Sequence, residues 1–167
     1  MKTIAFDLDG TLVSYGNGPI QANQELIDQV VWPGDEVIIV TNQGGIALGY
    51  RTVANFIERI AAAKSAIEAR GATLVWVSIG LWHMRATQGG LKGTEEAIRL
   101  MLPLVLGDKS WHLSALPKFR KPSGLMLSTL FYLWDFTYCG DSDEDEGEAA
   151  AAGVPFVRVE RFMGGGQ

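Results

Sequence analysis

The chain has 167 residues, of which 47% are hydrophobic and 20% are charged, and it carries a net charge of −5. This composition fits one globular domain with a sizeable core and argues against a disordered chain. The negative charge argues against a protein that binds long duplex nucleic acid nonspecifically, because such proteins carry a basic footprint, but it does not exclude an enzyme that acts on a nucleic acid end.

Cysteine content and hydropathy narrow the class further. Cys139 is the single cysteine, which rules out a disulfide within the chain and a multi-cysteine zinc site. No uninterrupted apolar run is long enough to span a bilayer, and Asp7 and Asp9 interrupt the apolar stretch that an N-terminal signal segment would need. We therefore expect a soluble, cytoplasmic protein that does not contact a membrane.

The first predicted element is a short buried strand at residues 4–6, and two acidic residues follow it directly. Asp7 and Asp9 are two positions apart, so an extended backbone would place both carboxylates in one space. Ligands bind at this end of the strands in open α/β sheets, and Gly10 supplies a turn there. Two carboxylates so close need a raised pKa or a cation between them, and they can act as a nucleophile and a proton carrier. The alternative is a capped turn without chemistry.

The run of residues 6–12, Phe-Asp-Leu-Asp-Gly-Thr-Leu, resembles the first motif of the haloacid dehalogenase (HAD) phosphatase superfamily. The resemblance implies that Asp7 is the nucleophile, which takes the phosphoryl group as an aspartyl-phosphate. It implies that Asp9 is the general acid and base. The polar loop at residues 14–19 either lines the entrance to this site or is a simple connection.

The second predicted strand, at residues 37–40, is apolar throughout, as in a sheet buried on both faces. It ends in Thr41, Asn42, Gln43 and two glycines, and this hydroxyl, amide and backbone N–H set suits a bound phosphate, although Thr-Asn is common in turns. The Thr-Asn-Gln run resembles the second HAD motif in the form seen in the polynucleotide 3′-phosphatase, histidinol phosphatase and heptose bisphosphate phosphatase branches. Thr41 and Asn42 are the predicted phosphate-binding residues here.

A long helix is predicted over residues 51–70, where apolar residues recur at helical spacing and the charged residues form a solvated face. A strand at residues 74–77 follows. In the segment 81–117 we expect a break at residues 89–90, then a helix from about residue 94 to 106. We expect this segment to form a lid or an insertion over the site.

Two Trp-His pairs, at residues 82–83 and 111–112, lie in the same segment. They could stack on a base or a sugar. The favoured interpretation is that each Trp belongs to the core and each His lies at the surface, because Trp is mostly buried in folded proteins.

A basic cluster at residues 118–121 precedes Pro122, where we expect a helix to begin. A lysine just before a helix start can direct its ammonium group at a bound phosphate and at carboxylates. The cluster resembles the third motif of the same branches, which implies that Lys121 balances the charge of the nucleophile and the phosphate. Those branches usually have glycine directly before a methionine, whereas Gly124 stands one position earlier, so Lys118 stays a second candidate for this role.

The fourth predicted strand, at residues 136–139, ends in an acidic run. Most such runs are solvated loops, but at the end of a strand this one suits half of a Mg²⁺ site, which takes oxygen ligands and keeps several waters. Gly-Asp at this point, with a second Asp four residues on, resembles the fourth HAD motif. The resemblance implies Asp141 as a direct ligand and Asp145 as a ligand or its support. The predicted metal-binding residues are Asp7, Asp9, Asp141 and Asp145.

Strands and helices alternate as far as a last predicted strand at residues 155–159, which predicts an α/β fold with a parallel sheet of about five strands and helices on both faces. The resemblance implies a Rossmann-like HAD fold in a single domain, residues 1–167, that ends in a frayed glycine tail at residues 164–166. Too few residues separate the first two motifs for a large cap domain, so we expect an open site.

The resemblance implies a Mg²⁺-dependent phosphomonoester hydrolase that works through an aspartyl-phosphate. The motif set, with residues 153–156, favours a 3′-phosphate on a DNA or RNA end as the phosphorylated substrate. The alternative is a small-molecule phosphatase acting on a sugar phosphate, histidinol phosphate or nucleotide, although such relatives typically have a zinc loop with several cysteines. A third hypothesis is a non-catalytic phosphate-binding protein, which would release no phosphate from a generic substrate.

Overall fold

A computed structural model describes residues 1–16 and 18–160, so the expected glycine tail at residues 164–166 lies outside the described residues. The strands are β1 (Thr3–Phe6), β2 (Glu36–Asn42), β3 (Thr73–Gly80), β4 (Ser110–Ser114), β5 (Phe136–Gly140) and β6 (Phe156–Arg158). The helices are α1 (Gln24–Val30), α2 (Gly44–Ala47), α3 (Val53–Ala69), α4 (Gln88–Leu106), α5 (Leu125–Phe131) and α6 (Asp143–Ala152). Of the helices in these ranges, none has both the length and the apolar character needed to cross a membrane.

All six strands form one parallel sheet in the order β4-β3-β2-β1-β5-β6. The chain moves outward from β1 to β4 and then returns to the other side of β1 as β5. The strand order therefore reverses at β1, and in open α/β sheets ligands bind in the crevice at such a reversal. The residues that follow β1, β2 and β5 meet at this point.

Apolar side chains cover both faces of the sheet, because its central strands are hydrophobic at successive positions. In β2, Ile39 belongs to one cluster of buried side chains, whereas Ile38 and Val40 belong to another. Helices α1, α3 and α4 contribute to the first cluster, and α5 and α6 contribute to the second. The predicted α/β architecture, with helices on both faces, is confirmed.

The sheet has one strand more than the sequence indicated, and the additional strand lies in the segment 81–117. Residues of β4 pair in parallel with β3, and β4 forms an edge of the sheet. The expected break at residues 89–90 is wrong, because α4 begins at Gln88, where the Thr87 hydroxyl accepts a hydrogen bond from the Gly90 N–H at 3.0 Å. Whether this segment also acts as a lid stays a prediction.

Helix α5 begins at Leu125, later than expected, and Gly124 explains why. Gly124 has a φ of +84°, and a Cβ atom there would lie 2.7 Å from Cβ of Ala151 in α6. The fully buried Glu148 of α6 accepts hydrogen bonds from the backbone N–H groups of Gly124 at 2.6 Å and Leu127 at 3.2 Å. The close approach of the two helices therefore requires glycine at this position, and it fixes the loop that precedes α5.

Candidate active site

Asp7 lies at the carboxyl end of β1, where its backbone N–H donates to the carbonyl oxygen of Cys139 at 2.9 Å. The side chain of Lys121 reaches the same point from the loop before α5. Nζ of Lys121 lies 2.6 Å from Oδ1 of Asp7 and 2.6 Å from Oδ1 of Asp145. All three side chains are buried, so one ammonium group faces two carboxylates in a poorly solvated environment.

Lys121, and not Lys118, is the lysine of this site, because Lys118 is exposed in the turn Pro117–Phe119. The side chain of Asn42 holds the backbone of Lys121. Oδ1 of Asn42 accepts from the Lys121 N–H at 3.1 Å, and its Nδ2 donates to the Lys121 carbonyl at 3.4 Å and to Glu144 at 3.2 Å. The structure thus places Asn42 as a support for the lysine, and its predicted contact with phosphate stays a prediction.

Three of the four predicted metal ligands come together. Carboxylate oxygens of Asp7, Asp141 and Asp145 all lie within 4.8 Å of one another. The orientation of Asp145 is fixed, because its Oδ1 accepts from the Tyr138 hydroxyl at 2.6 Å and its Oδ2 accepts from the Ser142 N–H at 3.1 Å. These three side chains could hold a divalent cation.

Gly10 allows the loop after β1 to approach Asp141. It has a φ of +83°, and a Cβ atom there would lie 2.3 Å from Oδ2 of Asp141. Asp141 makes no ion pair with any of the residues that the structure describes. Burial raises the pKa of the Asp141 carboxyl, and the neighbouring Asp145 raises it further. A bound cation would supply the positive charge that this carboxylate lacks.

The pKa values of the two carboxyls beside Lys121 are shifted in opposite directions. Burial raises the pKa of Asp7 to about 7, and the Lys121 ammonium only partly offsets this effect. Burial would also raise the pKa of Asp145, but Lys121 and the hydrogen bonds from Tyr138 and Ser142 outweigh it and hold the pKa below its ordinary value. Burial would lower the pKa of Lys121, and the two carboxylates raise it instead. The group therefore favours a charged Asp145 and a charged Lys121, whereas Asp7 is divided between its protonated and ionised forms near neutral pH.

Asp9 is held by a different set of partners. Its Oδ2 accepts from Nη1 of Arg51 at 2.6 Å and from Nε2 of Gln43 at 2.8 Å, and its Oδ1 accepts from Nη1 of Arg59 at 3.0 Å. Within the described part of the chain, the acids placed to hold a cation are Asp7, Asp141 and Asp145, and Asp9 is not among them. Both oxygens of this carboxylate are instead occupied by guanidinium and amide donors.

The expectation that the charged residues of α3 form a solvated face is wrong for Arg59, which is fully buried. Besides its ion pair with Asp9, it donates to the carbonyl oxygens of Ser14 and Gly16 and so connects the entrance loop to the site. The signal was present in the sequence, because Arg59 stands at helical spacing within the same buried stripe as Phe56 and Ala63. Because arginine is almost never fully buried without a partner, its position in an apolar stripe indicates a buried ion pair.

Asp7, Asp9, Asp141 and Lys121 line a cavity of about 750 Å³ at the carboxyl edge of the sheet. The predicted phosphate-binding residue Thr41 is buried in its wall, and its hydroxyl oxygen accepts from Nε2 of Gln43 at 2.9 Å, which leaves its own hydrogen free to donate. Tyr15 and Gly16 also line the cavity, so the loop after β1 does form part of the entrance. With a divalent cation bound to the acidic group, the arrangement could hold an anion such as phosphate beside an Asp7 oxygen.

No protein-family model and no curated protein sequence matches the chain. The fold is similar to that of a candidate HAD-like phosphatase from Mesorhizobium loti, with a TM-score of 0.57 and 18% identity over 92% of this chain and 69% of that chain. It is also similar to D,D-heptose 1,7-bisphosphate phosphatase from B. bronchiseptica, solved with magnesium and phosphate, with a TM-score of 0.57 and 18% identity over 99% of this chain and 87% of that chain. This likeness confirms the predicted Rossmann-like fold of HAD-like phosphatases.

Proposed function

We propose that the protein is a Mg²⁺-dependent phosphomonoester hydrolase in which Asp7 is the nucleophile. The observation that carries this proposal is the buried contact of Lys121 with Asp7 and Asp145 beside Asp141, at the wall of an open cavity. A carboxylate can attack phosphorus only where the phosphoryl group is held in place and its charge is neutralised. The fold shared with two solved HAD-like phosphatases supports the same function.

The acidic group fits Mg²⁺, because its donors are all oxygens and one of its carboxylates has no ion-pair partner among the described residues. Asp7 and Asp141 would bind the ion directly. Asp145 is already engaged by Lys121 and Tyr138, so it would orient the site as well as contribute charge. The similar heptose bisphosphate phosphatase was solved with magnesium. When bound, the ion would neutralise charge on the phosphoryl oxygens.

The residues support a reaction in two steps. First, Asp9 takes a proton from solvent once Arg51 has moved away, the ionised Asp7 attacks phosphorus through one oxygen, the bond between phosphorus and the ester oxygen breaks, and Asp9 gives that proton to the leaving oxygen. Second, water gives a proton to Asp9 and attacks the aspartyl-phosphate, and the bond between phosphorus and Asp7 breaks to release phosphate. Lys121 and the Thr41 hydroxyl stabilise the negative charge on the phosphoryl oxygens during both steps.

For Asp9 to transfer a proton, at least one of its contacts must open. Arg59 is completely buried and is also bound to two backbone carbonyls, so it is the fixed partner. The Arg51 side chain is 17% exposed and lines the cavity, so it is the partner that can move toward a bound anion. We assign Arg59 the role of positioning Asp9, and Arg51 the role of responding to the substrate.

The substrate class rests on size and charge. The cavity is open enough for the 3′-phosphate of a DNA or RNA end, which the sequence motifs favour. The charges favour a small molecule, because every cation that lines the cavity among the described residues is already paired, whereas a nucleic acid brings further phosphates. The pairs are Lys121 with Asp7 and Asp145, Arg51 with Asp9, and Arg120 with Glu144. We therefore propose a small phosphomonoester first and a 3′ end second.

The decisive experiment is phosphate release from a generic aryl phosphate with Mg²⁺, compared between the wild type and Asp7→Asn. We expect the variant to be inactive, and we expect rapidly quenched wild-type protein to carry one phosphoryl group that hydroxylamine removes. Asp143→Asn is the matched control, because the Asp143 side chain is 96% exposed, and it should retain activity. Full activity of Asp7→Asn would contradict the proposal. A 3′-phosphorylated oligonucleotide, a nucleoside monophosphate and a sugar bisphosphate then separate the substrate classes.

A further inference from the structure

Two aromatic side chains stand at the cavity wall with most of their surface in solvent. Tyr15 is 79% exposed and Tyr50 is 68% exposed, and both line the cavity that contains Asp7. Single exposed aromatic residues are ordinary at a protein surface, but here two of them line one polar cavity, so each offers a ring to a ligand bound there.

Each tyrosine lies beside a glycine that closely follows a strand of the site, Gly10 after β1 and Gly45 after β2. Cδ2 of Tyr15 lies 3.3 Å from the position of a Cβ atom at Gly10, and that same position is 2.3 Å from Oδ2 of Asp141. Tyr15 is therefore beside the acidic group. Cβ and Cδ2 of Tyr50 lie 3.7 and 3.8 Å from the corresponding position at Gly45, in the short helix α2 that follows β2. One ring thus lies near the acids and the other near the strand that supplies the phosphate-binding hydroxyl.

Because the cations of the cavity are paired with carboxylates, we expect the part of the substrate beyond the phosphate to bind through apolar contacts. Paired in this way, the cations add little attraction for charged groups beyond the reacting phosphate. A tyrosine can present its ring face to a ligand while its hydroxyl stays in water. Stacking of a flat base on an aromatic side chain is tolerant of sequence and contributes measurably to the binding of each base.

We infer that the alcohol part of the substrate carries a flat ring that stacks on Tyr15 and Tyr50, as the base of a nucleoside phosphate would. The inference rests on the proposed phosphatase function and specifies its substrate. The same chemistry is offered by a free nucleotide and by the last nucleotide of a 3′-phosphorylated chain, so the experiment includes both.

The test compares kcat/KM for adenosine 5′-monophosphate and ribose 5-phosphate, which differ at one sugar carbon, where the first carries a base and the second a hydroxyl. We expect the nucleotide to be preferred about tenfold, mostly through KM. Tyr15→Ala and Tyr50→Ala should each reduce this preference severalfold, whereas Tyr15→Phe and Tyr50→Phe should keep it because the rings remain. Tyr132→Ala is the matched control, since Tyr132 is 93% exposed and does not line the cavity. It should leave the preference unchanged.

Acetyl phosphate, which has no ring, separates the two proposals. If it is hydrolysed while the nucleotide and ribose 5-phosphate have equal kcat/KM, the ring inference is overturned and the phosphatase stands. Equal losses on both substrates in the alanine variants would also overturn the inference. If no phosphate ester and no acyl phosphate is hydrolysed, both proposals are overturned. A 3′-phosphorylated oligonucleotide hydrolysed faster than the free 3′-nucleotide identifies a chain end as the source of the ring, and the reverse identifies a free nucleotide.

Discussion

Nζ of Lys121 lies 2.6 Å from Oδ1 of Asp7, although the two residues are 114 positions apart in the chain. The Lys121 side chain is 2% exposed and that of Asp7 is 10% exposed. Removal of one member of a buried ion pair leaves the other charge without compensation, which costs more than the pair itself contributes. The contact therefore links the integrity of the fold to the chemistry of the site.

Replacement of this lysine should destabilise the protein strongly. For Lys121→Met we expect the free energy of unfolding to fall by about 3–5 kcal/mol, because Asp7 and Asp145 lose their shared cation. Lys118→Met, three residues away and exposed, should change it by less than about 0.5 kcal/mol. Urea denaturation of both variants measures the difference. Equal stability of the two variants would show that the buried contact carries no such energy.

The buried arginine of α3 should affect both stability and turnover. For Arg59→Met we expect a loss of about 3 kcal/mol in unfolding free energy, because Asp9 and the carbonyl of Ser14 lose a buried donor. With Asp9 no longer held, kcat should fall about 100-fold, with KM changed far less. Lys64→Met on the same helix removes an exposed pair with Glu68 and should cost less than about 1 kcal/mol. A variant of Arg59 with normal kcat would refute the positioning role.

Alanine variants of Gly10 and Gly34 distinguish the cost of a positive φ from the cost of a steric clash with a neighbouring side chain. Gly10 and Gly34 have φ values of +83° and +87°, but only at Gly10 would a Cβ atom meet another group, Oδ2 of Asp141 at 2.3 Å. Both alanine variants should lose about 1 kcal/mol from the backbone conformation. Gly10→Ala alone should also weaken Mg²⁺ binding, by about tenfold, because Asp141 must move. Calorimetric titration with Mg²⁺ checks this, and identical affinities in the two variants would count against Asp141 as a ligand.

The raised pKa of Asp7 predicts a pH dependence for the metal-free protein. The pKa is about 7 in the folded state against an ordinary value of 3.8, so the folded state binds more protons between these values. The contribution of Asp7 to stability therefore falls as the pH rises from about 4 to 7. A cation must displace this proton, so Mg²⁺ affinity should rise about tenfold between pH 6 and pH 8, with release of nearly one proton at the lower pH.

Calorimetry in two buffers of different ionisation enthalpy measures both the affinity and the released proton. Asp7→Asn has no proton to lose at this position, so its residual Mg²⁺ affinity should be nearly independent of pH over the same range. Wild-type binding that neither tightens with pH nor releases a proton would contradict the assignment of Asp7 as a ligand.

The sequence predicted the parts of the site that depend on local patterns. Asp7, Thr41 and Asp141 each follow an apolar run, and the carboxyl ends of parallel strands meet at one edge, so their proximity could be inferred without coordinates. The partners of Asp9 could not be inferred in this way, because they depend on the angle at which α3 packs over the sheet. Strand β4 was missed for a related reason: it is a short edge strand, and its pairing with β3 depends on long-range contacts. Which of Lys118 and Lys121 reaches the site likewise could not be inferred, because it depends on the conformation of the turn before α5.

The order in which the strands are made differs from the order in which they lie in the sheet. Asp7 is made before Lys121, which lies 114 positions later in the chain, and before β5, the strand that pairs with β1. During translation Asp7 consequently emerges hydrated and without the Lys121 ammonium, and it stays so until the loop before α5 and strand β5 dock. A nascent polypeptide that stalls before this step has neither a complete sheet nor the contact between Asp7 and Lys121, so the acidic group assembles only after the late strands are in position.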